Sequence, residues 1–152
     1  AAPALAADLI VETPTAEVTS GFDWAGAYVG GFVGDRLDMG VAIAGGELGY
    51  NFLPSENLLL GIEGSGLLYL DGSGDHELFV HGKVGMVQDR IAVYALGGVG
   101  EYNESIALWD VGVGAEFALT DNITLDGQVF ERGPIGSVPA ATFVQAGLRY
   151  HF

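Results

Sequence analysis

The sequence predicts an all-β fold: an eight-stranded antiparallel up-and-down transmembrane β-barrel over residues 23–152, with a short N-terminal tail over residues 1–22. Three observations carry that expectation. Mean hydropathy is high, at +0.36, although a spanning helix needs about 20 mainly apolar residues and the longest charge-free run, Gly133 to Leu148, is shorter and broken by Pro134 and Pro139. From Trp24 onward, apolar residues alternate with polar or small ones in segments of roughly ten residues. Those segments are divided by turn clusters into an even number, with one set of connectors shorter than the other, as an antiparallel membrane barrel requires.

The 152 residues suffice for one domain. Glycine is abundant, at 25 residues, but the 49% hydrophobic content is far above that of a disordered chain. Twenty acids face five bases, a net charge of −15. That charge argues against nucleic acid as a partner, because its binding rests on Lys and Arg neutralising phosphates, and against peripheral docking on anionic lipid for the same reason. The absence of cysteine removes disulfides, thiolate nucleophiles and zinc–cysteine sites, and is neutral about compartment. Residues 1–22 read as a tail in which Pro3 and Pro14 break regular structure, and Ala4-Leu5-Ala6 has the small-residue form of a signal-cleavage site.

The first strand is expected over Ala25–Asp35, following Trp24 and carrying Phe32 on its inward parity. The second, Val41–Phe52, sets Leu48, Tyr50 and Phe52 against Glu47, Gly49 and Asn51. The third, Leu58–Leu70, sets Leu60, Ile62 and Leu68 against Glu63 and Ser65. In the fourth, His76–Gln88, Glu77 and Lys83 share one parity. The fifth, Ile91–Glu101, lies between Asp89-Arg90 and the Tyr102–Glu104 turn and carries Tyr94 inward. The sixth, Ser105–Leu119, has Trp109, Val111, Val113 and Phe117 on one face and Asp110, Gly112, Gly114 and Glu116 on the other. The seventh, Ile123–Arg132, follows Thr120-Asp121-Asn122 and brings Asp126 and Phe130 inward. The eighth, Ala140–Phe152, sets Val144, Leu148, Tyr150 and Phe152 against Phe143, Gln145, Arg149 and His151.

Each strand is thus expected to present one face free of charge. In a soluble barrel the apolar face points inward; in a membrane barrel it points outward. The polar face here is small and dotted with glycine, and carries too few charges to solubilise so apolar a chain. It suits instead the crowded lumen of an eight-stranded barrel, whose interior side chains nearly fill the space. Tyr50, Phe52, Phe117, Tyr150 and Phe152 fall on the outward parity near the tight-turn end, where they would form an aromatic girdle.

Three stretches carry a family resemblance: Asp23-Trp24-Ala25-Gly26-Ala27-Tyr28-Val29-Gly30-Gly31-Phe32-Val33-Gly34, the run Trp109 to Leu125, and the ending Gly147-Leu148-Arg149-Tyr150-His151-Phe152. They resemble small alphaproteobacterial outer-membrane barrels of the Omp25/Omp31-like, opacity-related (OmpA-like) family, over roughly residues 23 to 152. The resemblance implies an integral bacterial outer-membrane protein in contact with lipid and lipopolysaccharide, and Tyr150 with the terminal Phe152 looks like the signal read by the barrel assembly machinery. The loops on the longer-connector side are shorter than the family's, and no peptidoglycan-binding domain follows the barrel, which leaves a wall-anchoring role unsupported.

Reflection about the connectors groups the lumenal charges as Glu47/Glu63/Lys83 and Glu116/Asp126/Arg149. Each group has two acids to one base, so each calls for a proton, water or cation beyond its base. The upper lumen, with Phe32, Leu67, Tyr69, Phe79, Tyr94, Phe130 and Phe143, reads as an apolar plug. Catalysis is not expected: Ser65 and His81 are candidate neighbours, but neither an oxyanion hole nor a cleft accompanies them. No cofactor is implied. The Asp71–Glu77 run spaces acids like the start of a calcium loop but has His76 and Gly82 where the required Gly and distal Glu belong, and the three histidines lack metal-ligand spacing. The expected function is a mainly structural one in the envelope, with a narrow porin or small-solute channel and a surface interaction protein as the alternatives.

Overall fold

The computed structural model describes residues 21–136 and 140–152. Eight strands follow in order: β1 (Gly26–Arg36), β2 (Val41–Phe52), β3 (Leu58–Tyr69), β4 (His76–Gln88), β5 (Ile91–Tyr102), β6 (Ile106–Ala118), β7 (Ile123–Pro134) and β8 (Ala141–His151). Each pairs antiparallel with its sequence neighbours, and β8 pairs with β1 to close the barrel. At 11 to 13 residues and the usual tilt, the strands rise about 30 Å, enough for an apolar band of about 25 Å.

The connectors fix which ends lie together. The β2–β3, β4–β5 and β6–β7 turns form the lower rim; the β1–β2, β3–β4, β5–β6 and β7–β8 loops form the upper. At the upper rim Asn103 and Glu104 have φ of 48° and 57°, the two left-handed central residues of a tight hairpin turn, closed by the Ser105 amide donating to the Tyr102 carbonyl at 3.1 Å.

The outer surface is apolar. Val29, Leu48, Ile62, Val80, Val93, Val113, Val129 and Leu148, one from each strand, are 45 to 66% exposed, an arrangement that water would penalise and lipid does not. Tyr50, Phe52, Phe117, Tyr150 and Phe152 all point outward, with ring centroids 4.8 Å apart for Tyr50–Phe52 and 5.3 Å for Tyr150–Phe152. The charge-free outer face holds only in part. Asp35, Glu101 and Glu131 occupy the outward parity of β1, β5 and β7. All three sit toward the upper ends of their strands, where a charge costs little because the interface is near, and Glu131 accepts a 2.5 Å hydrogen bond from the Thr142 hydroxyl.

Inside, glycine makes room for rings. Phe32 lies across Gly45 of β2 and Gly147 of β8; a Cβ on Gly45 would meet the Gly66 carbonyl oxygen at 2.2 Å and the Phe32 ring at 2.4 Å. The outward Gly82 has nothing within 4 Å of its Cβ position. Gly45→Ala is therefore expected to destabilise the barrel by about 1–3 kcal/mol through overpacking, and Gly82→Ala to be neutral or stabilising by up to about 1 kcal/mol. Urea unfolding in detergent micelles compares the two.

At the lower rim the segment before β1 folds across the barrel mouth. The Phe22 amide and the Trp24 indole N–H both donate to the Asp89 carbonyl, at 3.2 and 3.1 Å. Their rings pack with Leu59, Val87, Ala92 and Ala118 into an apolar cap. Gly21 and Phe22 stand at the end of the expected tail; residues 1–20 of it lie outside the described residues.

Candidate functional site in the barrel lumen

The alternation that turns apolar side chains outward sends the charged ones to the axis. Glu47 (β2), Glu63 (β3), Lys83 (β4), Glu116 (β6), Asp126 (β7) and Arg149 (β8) are all buried in the lumen. The pairs expected among them are partly different. Glu116 does face Asp126, but Glu47 faces Ser65, Glu63 faces His81, Lys83 faces Gly61 and Asp126 faces Gly147. The turns shift the register by two residues from simple reflection, and a shift of two keeps every side chain on its face while changing its neighbours.

The two expected groups are one network, joined by Arg149. Its Nε donates to Glu47 Oε1 at 2.5 Å, Nη1 to Glu116 Oε2 at 2.7 Å and Asp126 Oδ1 at 3.0 Å, and Nη2 to Glu63 Oε2 at 3.0 Å. One guanidinium thus reaches carboxylates of four strands, which its five fixed donors and the narrow lumen permit. Lys83 Nζ lies 3.2 Å from Glu63 Oε2 and donates to the Tyr28 hydroxyl, which itself donates to Glu63 Oε2 at 2.6 Å. Below, Glu116 accepts from Thr124 and stands 2.8 Å from His151 Nε2. The Phe22 ring closes over His151 at 4.9 Å. Four acids against Arg149 and Lys83 leave this layer short of positive charge, and Glu47 Oε2 is buried without a partner among the described residues.

The upper lumen is not the uniform apolar plug expected. Phe32, Leu67, Tyr69, Phe130 and Phe143 do pack together, with Ile43 and Ala141. Tyr94 sits lower, in the charge network, where its hydroxyl donates to Asp126 and accepts from Gln128 at 3.0 Å. Phe79 lies beneath the Arg132 guanidinium, 3.7 Å from its ring centroid. Arg132 belongs to a second charged cluster: it donates to Glu77, and to Asp110 Oδ2 at 2.7 Å. Asp110 Oδ2 also lies 2.9 Å from His81 Nε2, and the Tyr69 hydroxyl donates to Glu77 Oε1 at 2.6 Å. The shared parity of Glu77, Asp110 and Arg132 was the available signal for this cluster; their closeness comes from chain packing across the barrel, where Arg132 and Glu77 are on strands that do not pair.

Above this, a cavity of about 230 Å³ is lined by Arg36, Glu77, Tyr102, Arg132 and Phe143 among others. At the rim, the Tyr102 hydroxyl and the Asn103 amide donate to Asp75, and these bonds hold its carboxyl below the usual carboxylate range. A lowered folded-state value means the contact stabilises above the carboxyl's ordinary titration and is lost as the pH falls through its folded value. Acidification is therefore expected to speed amide exchange at His76, whose N–H donates to Asn103, beyond the intrinsic rate change. Asp75→Asn is expected to remove that pH dependence.

Among the described residues Ser65 and His81 share no hydrogen bond, and no group of three or more His, Cys, Asp or Glu side chains is arranged to hold a metal ion.

No protein family matches the chain, and no curated protein does. Solved structures do. The N-terminal β-barrel domain of Pseudomonas aeruginosa OprF matches with a TM-score of 0.65 at 14% identity, covering 84% of this chain and 98% of that one. A de novo designed transmembrane β-barrel matches with a TM-score of 0.62 at 20% identity, covering 84% and 96%. The outer-membrane enzyme PagL matches with a TM-score of 0.51 at 15% identity, covering 81% and 97%. These likenesses establish the fold, that of eight-stranded transmembrane barrels.

Proposed function

We propose that this chain is an integral protein of the bacterial outer membrane with a mainly structural role in the envelope, its lumen closed to solutes. The observation that carries the reading is the inversion of faces: every strand is apolar on its outside through mid-depth, with the outward acids Asp35, Glu101 and Glu131 only toward the upper ends, and the remaining strand charge is gathered in the lumen. Lipid contact explains the first, and cross-strand ties explain the second, since Arg149 alone links β8 to β2, β3, β6 and β7. The closed lumen is supported by the apolar groups at both ends, Phe22 and Trp24 below and Phe32, Phe130 and Phe143 above.

Outer-membrane lipid and lipopolysaccharide are the surroundings this reading requires, with the residues before Gly21 on the periplasmic side. Tyr150 and Phe152 are the residues the barrel assembly machinery would read, and Phe152 is the more exposed of the two. The Omp25/Omp31-like resemblance belongs to the same proposal and rests on the three stretches quoted above. The role is non-catalytic in this reading: PagL shows that the fold admits an enzyme, but here each charged lumenal side chain is hydrogen-bonded through at least one of its atoms to another lumenal group. A narrow channel is the second reading, favoured by the acid-rich lumen.

Membrane fractionation with reconstitution tests the proposal. The full chain is expected in the outer-membrane fraction, to need detergent, to migrate faster on gels unheated than boiled, and to show no stable large conductance in planar bilayers. Stable conductance would favour the channel, and recovery from the aqueous fraction without detergent would overturn the membrane assignment.

A further inference from the structure

Among the described residues, a single side chain stands between the two lumenal charge networks. His81 of β4 is buried, its ring stacked on Phe79 at 5.4 Å and 11°. Its Nε2 is 2.9 Å from Asp110 Oδ2 in the upper cluster, and its Nδ1 is 3.8 Å from Glu63 Oε1 in the lower one. That Nδ1 has no hydrogen-bond partner among the described residues. Glu63 is disposed to receive it: Tyr28, Lys83 and Arg149 all converge on Oε2, which leaves Oε1 facing the imidazole. Gly98 of β5 provides the space, since a Cβ there would lie 2.6 Å from His81 Cδ2 and 3.2 Å from Asp110 Oδ1.

The charged groups around the ring come from every side. Glu63 faces it from β3 and Asp110 from β6; Arg132 of β7 is bonded to that Asp110, while Arg149 of β8 and Lys83 of β4 itself are bonded to that Glu63. Among the described residues, two carboxylates are therefore the only groups within ion-pair distance of its nitrogens. A neutral imidazole carries one N–H and can donate to one of them; an imidazolium carries two and can donate to both.

We propose that His81 is a proton-operated clasp between the halves of the lumen. Protonated, it donates to Asp110 above and Glu63 below and ties the two networks into one. Neutral, it keeps a single partner, and the networks are joined only through the barrel wall. The inner wall formed by β3, β4 and β6 is then less tightly held when the surroundings are alkaline.

The test uses the full chain in lipid nanodiscs, with ¹⁵N-imidazole spectra and amide hydrogen exchange followed across the pH range in which the barrel stays folded. At the acid end His81 is expected to show two slowly exchanging ring N–H protons, and at the alkaline end one. Amides of Glu63, His81 and Asp110, corrected for the intrinsic effect of pH, are expected to exchange about two- to tenfold more slowly in the acid form, as one added hydrogen bond would give. His81→Gln, which can still donate to Asp110 but cannot gain a proton, should lose that ratio, and the rim variant His76→Gln should keep it. A single ring N–H across the whole range, or an unchanged ratio in His81→Gln, would overturn the proposal. Should His81→Gln not assemble, the ring spectra of the unaltered protein decide alone.

Discussion

Arg149→Met is expected to destabilise the folded barrel by about 3–5 kcal/mol, the cost of removing one partner from a buried charge cluster. Arg149 is 1% exposed and touches four carboxylates. Methionine fills similar space but leaves those carboxylates facing one another in a lumen walled by protein and lipid, with Lys83 as the nearest remaining cation. The expected readouts are a lower urea midpoint in micelles and loss of the fast-migrating folded band. Because the loss comes from unbalanced charge, Glu116→Gln and Asp126→Asn added to Arg149→Met should recover a substantial part of it. If the triple variant is no more stable than the single one, the lumen network is not held by charge balance. Arg149→Lys should fall between, since an ammonium keeps the charge but cannot reach four carboxylates with a fixed fork of donors.

Val113→Arg should cost about 2–4 kcal/mol, the penalty for an arginine on the lipid face at mid-depth. Val113 is 62% exposed, near the middle of β6, between Ala95 and Val129. In a soluble barrel the same change at so exposed a site would be harmless, so the measurement separates the two environments directly. Leu119→Arg, just past the lower end of β6, is the depth control and should cost no more than about 1 kcal/mol. Unfolding in lipid vesicles gives both values. Equal costs at the two sites would contradict a depth-dependent apolar layer around the barrel.

The eight strands were legible because their signal is local. Strand period is two, turn residues punctuate it, and the observed bounds differ from those expected by only a residue or two at the ends. Val41–Phe52 and His76–Gln88 coincide with expectation, each bounded on both sides by connectors rich in Gly, Asp or Pro. Facing follows for the same reason, through parity: Tyr50, Phe52, Phe117, Tyr150 and Phe152 stand outward, and Glu47, Glu63, Lys83, Glu116, Asp126 and Arg149 are buried in the lumen. The outward acids Asp35, Glu101 and Glu131 show its limit, because parity says nothing about depth, and at the upper interface a charge on the lipid side is tolerated.

Which residues touch was less legible. A register displaced by two residues at the Pro54 and Gly72 turns moved Glu47 and Glu63 past each other without disturbing the pattern. Contacts across the lumen have no sequence signal at all. Arg149 meets Glu47 about a hundred positions away, and Arg132 meets Glu77 on a non-neighbouring strand. Tyr94 and Phe79 carry the same inward parity as Phe32 and Phe130, yet one sits among carboxylates and the other under a guanidinium, because height along the axis depends on tilt and shear as well as on position in the strand.

The sequence by itself determined that this protein is a barrel with lipid outside and charge within, since alternation at period two decides which way each side chain points. Tertiary structure alone decided that the charge forms two networks, one gathered on Arg149 and one on Arg132, with His81 between them. Closure of β8 on β1 brings residues from opposite ends of the chain to a common axis, and the lumen is narrow enough for one long side chain to reach most of its wall.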